Sequence, residues 1–409
     1  PNKGITYMTS KIPVSQRAAS IEYAIRDVVV PATELEKQGH RIIKLNIGDP
    51  LAYEGFPTPA HMVEAVESAL RNQKNGYSPS YGVPELREAI ASDEQKKPNG
   101  GWECSVDDVY VTAGVTEALQ ILFASFLEPG DKVLVPGPHY PPYMAYPPLF
   151  DGKVIEYRLK SEDGWKIDFD DLESKLDDKV KLLTVVNPNN PTGGIVSKSD
   201  LTRLIEVASK APLCTVISDE IYDGYNFSDS HISTASLSET LPVITLNGVS
   251  KVFYAPGWRV GYMAFHDPER RLSQVRDGVE RLLRSRLCAS TPAQYGFLAG
   301  LTGPRDWMEE YRRKLLEQRD YCVTRINEID GMETETPDGA FYMFPKLTRE
   351  KWGKDDKQFV LDLLYKEHVL LVHGSGFSRE YGSGHVRLVF LPGTAILEEA
   401  FDRINRFMK

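Results

Sequence analysis

The chain has 409 residues, 41% of them apolar and 26% charged, with a formal net charge of −10. This composition fits an ordinary soluble globular protein of one large or two medium domains, and the acidic balance argues against nucleic acid as the main partner, since a phosphate backbone rewards an excess of Lys and Arg. Four scattered cysteines without a CxxC pair argue against structural zinc or a disulfide framework, and no apolar run is long enough to span a membrane.

Residues 28–39 read as a helix, with Pro31 near its first turn and Gly39 as its stop. A short strand is expected over 41–47. From 59 to 303, helical patterns alternate with short apolar runs at 132–135, 153–159, 182–186, 213–217, 243–246 and 262–265, and amphipathic stretches such as 116–127 and 199–210 lie between them. Short buried strands alternating with helices predict an α/β domain with a mostly parallel sheet. After Gly303 the pattern changes to a long helical stretch over 307–329, an apolar segment at 340–344, a helix at 358–366, strands at 369–372 and 386–390, and a final helix to Lys409. This predicts a second, smaller α+β unit.

Several runs carry chemistry. Thr112 to Leu119 reads as strand, turn and helix start, with Gly114 at the turn. A helix N-terminus with free N–H groups binds phosphate, although Thr and Gly are also common helix starters. Tyr140, in Pro136-Gly137-Pro138-His139-Tyr140, offers a ring that can stack on a flat cofactor or simply pack a loop. The run Asn187-Pro188-Asn189-Asn190-Pro191-Thr192-Gly193 follows a strand, and its prolines stiffen the turn so that Asn190 can present its amide. Asp219 and Tyr222 follow the apolar run 213–217. In open α/β sheets ligands sit beyond the carboxyl ends of strands, where Asp219 can pair with a protonated ring nitrogen or cap a helix. Glu220 competes for the first role. Lys251 lies in Asn247-Gly248-Val249-Ser250-Lys251, with Arg259 shortly after.

A lysine amine that condenses with an aldehyde, an acid that keeps a ring nitrogen protonated, and a tyrosine and asparagine beside them are what pyridoxal phosphate chemistry requires. Arg259 would supply the countercharge to the phosphate in its planar fork. Arg387 sits inside the apolar strand 386–390. A buried arginine needs a partner, which is either a substrate carboxylate or a structural ion pair. Other templates fail: Gly374-Ser375-Gly376 does not complete GxGxxG, and no P-loop, HExxH or GxSxG is present.

Together these runs resemble the fold-type I aminotransferases of class I/II over nearly the whole chain. The runs Glu22-Tyr23-Ala24-Ile25-Arg26-Asp27-Val28-Val29-Val30-Pro31, Leu45-Asn46-Ile47-Gly48-Asp49-Pro50, Pro138-His139-Tyr140-Pro141-Pro142-Tyr143 and Arg286-Leu287-Cys288 are most similar to the archaeal alanine aminotransferase subgroup. The resemblance implies pyridoxal 5′-phosphate as cofactor and Lys251 as the lysine that holds it. It implies Asp219 as the ring-nitrogen partner, with Tyr222 and Asn190 around the ring oxygen and Tyr140 stacked on the ring. Val115, Thr116 and Arg259 resemble the phosphate ligands. Gly48, Asn190 and Arg387 resemble the substrate contacts, with Arg387 anchoring the α-carboxylate. Tyr77 resembles the tyrosine that reaches the phosphate of a neighbouring subunit, and a homodimer with shared sites is therefore expected.

One departure is Gly248, where many relatives carry a phosphate-binding serine; Asn247 or Ser250 can compensate, or the phosphate has one ligand fewer. Arg286, by its spacing to Thr291-Pro292, stands where dicarboxylate-specific relatives place an arginine for the distal carboxylate, against the reading of a structural arginine. The resemblance also implies that residues 1–58 join 304–409 in a small domain beside a large cofactor-binding domain at 59–303. The expected reaction is transamination between L-alanine and 2-oxoglutarate, giving pyruvate and L-glutamate. Aspartate or an aromatic amino acid as donor, or a lyase reaction on the same fold, are the alternatives. No metal, nucleic acid or membrane partner is expected. The polar N-terminus has no signal-peptide core, so a cytoplasmic location is expected by default.

Overall fold

The computed structural model describes residues 11–19, 21, 24–228 and 231–409. Glu22 and Tyr23, part of the run over 22–31, lie outside the described residues.

The first regular elements are the helix Ala24–Lys37 and strand β1 (Ile43–Lys44). The helix starts four residues earlier than its expected bound, so Pro31 stands in its interior and not in its first turn. Proline there leaves one carbonyl without its intrahelical donor. The apolar stripe Val28, Ala32 and Leu35 keeps the segment helical, because that face is buried. The strand is shorter than the expected 41–47. Past Leu45 the backbone turns away to offer the Asn46 carbonyl to Arg387.

The central sheet is built from β2 (Val109–Thr112), β3 (Lys132–Gly137), β4 (Lys153–Lys160), β5 (Lys166–Ile167), β6 (Val180–Val186), β7 (Thr215–Asp219), β8 (Val243–Gly248) and β9 (Gly261–His266). Their order is β2-β9-β8-β7-β6-β3-β4-β5. The neighbours from β8 through to β4 are parallel; β9 is antiparallel to both β2 and β8, and β5 is antiparallel to β4. The expected mostly parallel α/β sheet is thus present. Its strands read as continuous apolar runs because both faces are covered. Leu182 and Val186 pack in one core with the helix Val115–Phe126, while Leu183 and Val185, pointing the other way, join a second core with the helix Lys198–Ala208.

The helix Asp306–Asn327 leads to β10 (Met332–Glu333), β11 (Tyr342–Met343), β12 (Lys346–Leu347), β13 (Val369–Leu370), β14 (Val372–His373) and β15 (Val386–Val389). Strands β11, β15 and β14 form a three-stranded antiparallel sheet, β10 pairs with β12, and β13 pairs in parallel with β1. The single strand expected over 369–372 is therefore two strands in different sheets, parted at Leu371. The last helix, Thr394–Met408, buries Leu397, Ala400, Phe401, Ile404 and Met408, one stripe of a 3.6-residue period. Among the described residues no helix is long and apolar enough to cross a membrane.

Strand polarity positions the site. Because β9 runs against both neighbours, β2 is parallel to β8, so β2, β8, β7, β6 and β3 all end on one edge of the sheet. That edge is where open α/β folds bind ligands.

Candidate active site

Each of those strand ends delivers one of the expected residues. Gly114, Val115 and Thr116 follow β2, Lys251 follows β8, Asp219 closes β7, Asn190 follows β6, and Tyr140 follows β3. Arg259 stands just before β9, and Arg387 comes from β15 on the facing sheet. A cavity of about 420 Å³ is lined by Val115, Thr116, Tyr140, Asn190, Asp219, Tyr222, Lys251, Arg259 and Arg387, together with Gly48. Tyr77 is not there; it is 82% exposed.

The Lys251 amine donates to the Gly48 carbonyl at 2.6 Å. Asp219 is buried; its Oδ2 accepts from the Tyr143 hydroxyl at 2.7 Å and its Oδ1 from the Ile221 N–H at 3.2 Å. Burial raises its pKa to about 6, although both hydrogen bonds oppose the rise. No cation is bonded to Asp219 among the described residues, so a positively charged N–H entering the cavity would satisfy it. Glu220, the next residue, turns away. It contacts Lys97 at 2.9 Å and His231 at 2.8 Å. Burial alone would raise its pKa, but Lys97 and His231 outweigh burial and hold it well below the ordinary range. Glu220 is therefore structural.

The turn after β6 is stapled to itself: Asn187 exchanges hydrogen bonds with Val196, and Asn189 accepts from Thr192. The Asn187–Pro188 and Asn190–Pro191 bonds are cis. Asn190 is left to face the cavity, where its Oδ1 accepts from Arg387 Nη1 at 3.1 Å. Arg387 Nη2 donates to the Asn46 carbonyl at 2.7 Å. Arg387 is 2% exposed, its Nε is without a partner, and among the described residues it forms no ion pair with a carboxylate. Among the described residues no structural ion pair takes up the charge, so it is available to a carboxylate ligand.

The helix Val115–Phe126 opens on Gly114, whose φ of +80° favours glycine and whose missing Cβ leaves room for the Arg259 guanidinium. Arg259 donates to Pro256 and Ala113 carbonyls and to Ser250 Oγ. A cationic fork, a hydroxyl and a helix N-terminus therefore meet at one end of the cavity, which fits a phosphate. Ser250 lines that cavity, whereas Asn247 is turned to Asp223 and to the Gly248 N–H. Of the two residues considered in place of the missing serine, Ser250 is the one on the cavity. A Cβ on Gly248 would press on the Val260 carbonyl at 2.6 Å.

Arg286 does not line the cavity. It pairs with Glu117 at 3.1 Å and donates to the Val111 and Ser80 carbonyls. These contacts within its own chain support the reading of Arg286 as a structural arginine. Three cavity neighbours were missed by the sequence: Tyr143 on Asp219, Tyr342 against Tyr222, and Asn46 behind Arg387. A polar aromatic inside an apolar strand was the one available signal for Tyr342.

An amine, an acid lacking a counterion, a phosphate cradle and a lone buried arginine fit pyridoxal 5′-phosphate with an amino acid beside it. The sequence profile described as aminotransferase class I and II matches residues 40–404. The chain is 38% identical over 400 residues to the alanine aminotransferase of Mycobacterium tuberculosis strain H37Rv, covering 96% of this chain and 92% of that one. It is 35% identical over 406 residues to the glutamate-pyruvate aminotransferase AlaA of Escherichia coli K12, covering 98% of each. Among solved structures, an alanine aminotransferase from Pyrococcus furiosus superposes with a TM-score of 0.94 at 52% identity, covering 97% of this chain and 99% of that one. The chain belongs to the class I and II aminotransferases, which depend on pyridoxal phosphate and act on amino and oxo acids.

Proposed function

We propose that the protein transfers the amino group of L-alanine to 2-oxoglutarate, giving pyruvate and L-glutamate. The names of the three relatives above support this reading most directly. The apolar side chains of Val29 and Ile47 at the cavity suit a methyl group beside the reacting carbon.

When bound, the cofactor supplies an aldehyde to take the amine and a ring to hold the electron pair left at Cα. Lys251 would hold the aldehyde, and its amine, once free, would take the proton from Cα and deliver it to the carbon that had been the aldehyde's. Asp219 would hold a proton at the ring nitrogen. Tyr222 and Asn190 would serve the ring oxygen, and Tyr140 would face the ring. Arg259, Ser250 and the N–H groups at Val115 and Thr116 would hold the phosphate. Arg387 binds the α-carboxylate in its two-pronged fork, with Asn190 fixing the plane and Gly48 leaving room beside the substrate.

The reading extends to the whole molecule as a cytoplasmic homodimer in which Tyr77 of each chain serves the other's site. The exposure of Tyr77 supports this, and four free cysteines suit a reducing compartment. Residues 1–58 with 304–409 form the small domain and 59–303 the large one; the pairing of β1 with β13 supports that grouping.

The test is a titration of the purified holoenzyme followed by absorbance. L-Alanine should bleach the lysine-bound cofactor band and 2-oxoglutarate should restore it. A band indifferent to alanine but responsive to aspartate or an aromatic donor would replace the substrate assignment and leave the family membership intact.

A further inference from the structure

Tyr342, on β11, is 1% exposed, and it meets three parts of the site at once. Its hydroxyl lies 2.9 Å from that of Tyr222. The Arg387 guanidinium lies over its ring, 4.7 Å from the ring centroid. Its hydroxyl also stands where a Cβ on residue 48 would have to go, so the phenol requires glycine there. Ring and hydroxyl thus have separate partners: the face serves Arg387 and the oxygen serves Tyr222.

The two hydroxyls are each other's hydrogen-bond partners among the described residues. One proton lies between them, and the other is left over. Burial, and after it the neighbouring Tyr342, push the Tyr222 phenol well above its ordinary range, so it stays protonated. If Tyr222 gives its proton to an acceptor in the cavity, the shared position must be filled by the proton of Tyr342. The order of donation is then fixed along the chain of hydroxyls, and each bond strengthens the next.

We propose that Tyr342 is a positioning residue: its hydroxyl donates to Tyr222 so that Tyr222 donates to the cofactor's ring oxygen, while its ring holds the plane of the Arg387 fork. The inference rests on the roles proposed above for Tyr222 and Arg387. It joins the carboxylate anchor to the ring-oxygen donor through one side chain on the smaller sheet.

The experiment compares the holoenzyme with Tyr342→Phe, Tyr342→Leu and Tyr222→Phe. It reads the pH midpoint of the bound cofactor's absorbance, and KM and kcat separately. A hydrogen bond from Tyr222 favours the ionised ring oxygen, so weakening it should raise the midpoint. Tyr342→Phe keeps the stack and should raise the midpoint by about half a unit, in the direction of Tyr222→Phe and by less, with KM for the amino acid unchanged. Tyr342→Leu also loses the stack and should in addition raise KM about tenfold. If Tyr222→Phe moves the midpoint and Tyr342→Phe does not, the inference is overturned and the role of Tyr222 stands. If neither moves it, the reading of Tyr222 falls and the inference with it. Equal losses in all parameters, with lowered thermal stability and an unmoved midpoint, would make Tyr342 merely structural and likewise overturn it.

Discussion

Asp219 and Lys97 show how burial acts on single charges in opposite ways. Below about pH 4 the Asp219 carboxyl is protonated in both the folded and the unfolded chain and costs nothing. As pH rises from there to about 6, the unfolded chain ionises first and the folded state is increasingly disfavoured. Above that range the penalty is constant, at about 2–3 kcal/mol. In the cofactor-free protein, Asp219→Asn should therefore be more stable than the parent near neutral pH, and the difference should fade towards pH 4. Urea midpoints across that range check this; an asparagine variant that is weaker at neutral pH would refute it. Lys97 contacts Glu94 and Glu220, both fully buried, at 2.9 Å each. Lys97→Met strands two carboxylates, and a loss of about 3–5 kcal/mol is expected in the same assay. Lys251, Asp219 and Asn190 were legible in the sequence because each stands in a contiguous run. Tyr342 and the Lys97–Glu220 pair were not, because the partners lie 120 and 123 residues apart.

At the scale of elements, the helix Val115–Phe126 carries the phosphate end of the site, and its first turn is tied down from behind. Glu117 accepts from the Ala113 N–H at 2.6 Å and pairs with Arg286 at the end of the helix Ser273–Arg286. Arg286→Ala should loosen this turn for every substrate alike. Turnover of alanine and of glutamate should fall by the same factor, with about tenfold weaker cofactor retention. A loss confined to glutamate would return Arg286 to the substrate. The periodicity gave the large strands to within about two residues. It missed the breaks at Leu45 and Leu371, where the chain changes partner strand and the apolar pattern continues unchanged. The expectation for Arg286 rested on spacing, and spacing along the chain does not reveal which carboxylate a fork will meet; within its own chain it meets Glu117.

For the molecule as a whole, the site is assembled from strand ends spread over most of the sequence, yet Tyr77 points out of it. A homodimer should give a solution mass near twice the 46.0 kDa of the chain, and light scattering on the holoenzyme measures it. Tyr77→Ala should then lower cofactor retention although the residue touches nothing of its own cavity. A monomer with full activity would end the shared-site reading. The class of fold was legible in the alternation of helices and strands. That β2 ends beside the other four strands was not, because it depends on β9 running against both its neighbours, a fact of pairing and not of composition.

Asp219 at the end of β7 and Glu220 just after it meet opposite environments, one at the cavity and the other locked in an ion cluster behind it. Successive residues of a strand face opposite ways, so this sorting is done by register: Asp219 stands opposite Val186 on one side and Leu246 on the other. A slip of one residue would leave the hydrophobic runs almost as well buried, since both faces of the sheet are apolar, and would exchange the two acids. The alignment of three strands is in that sense an acid–base setting, and a single inserted residue in β7 would alter the chemistry before it altered the fold.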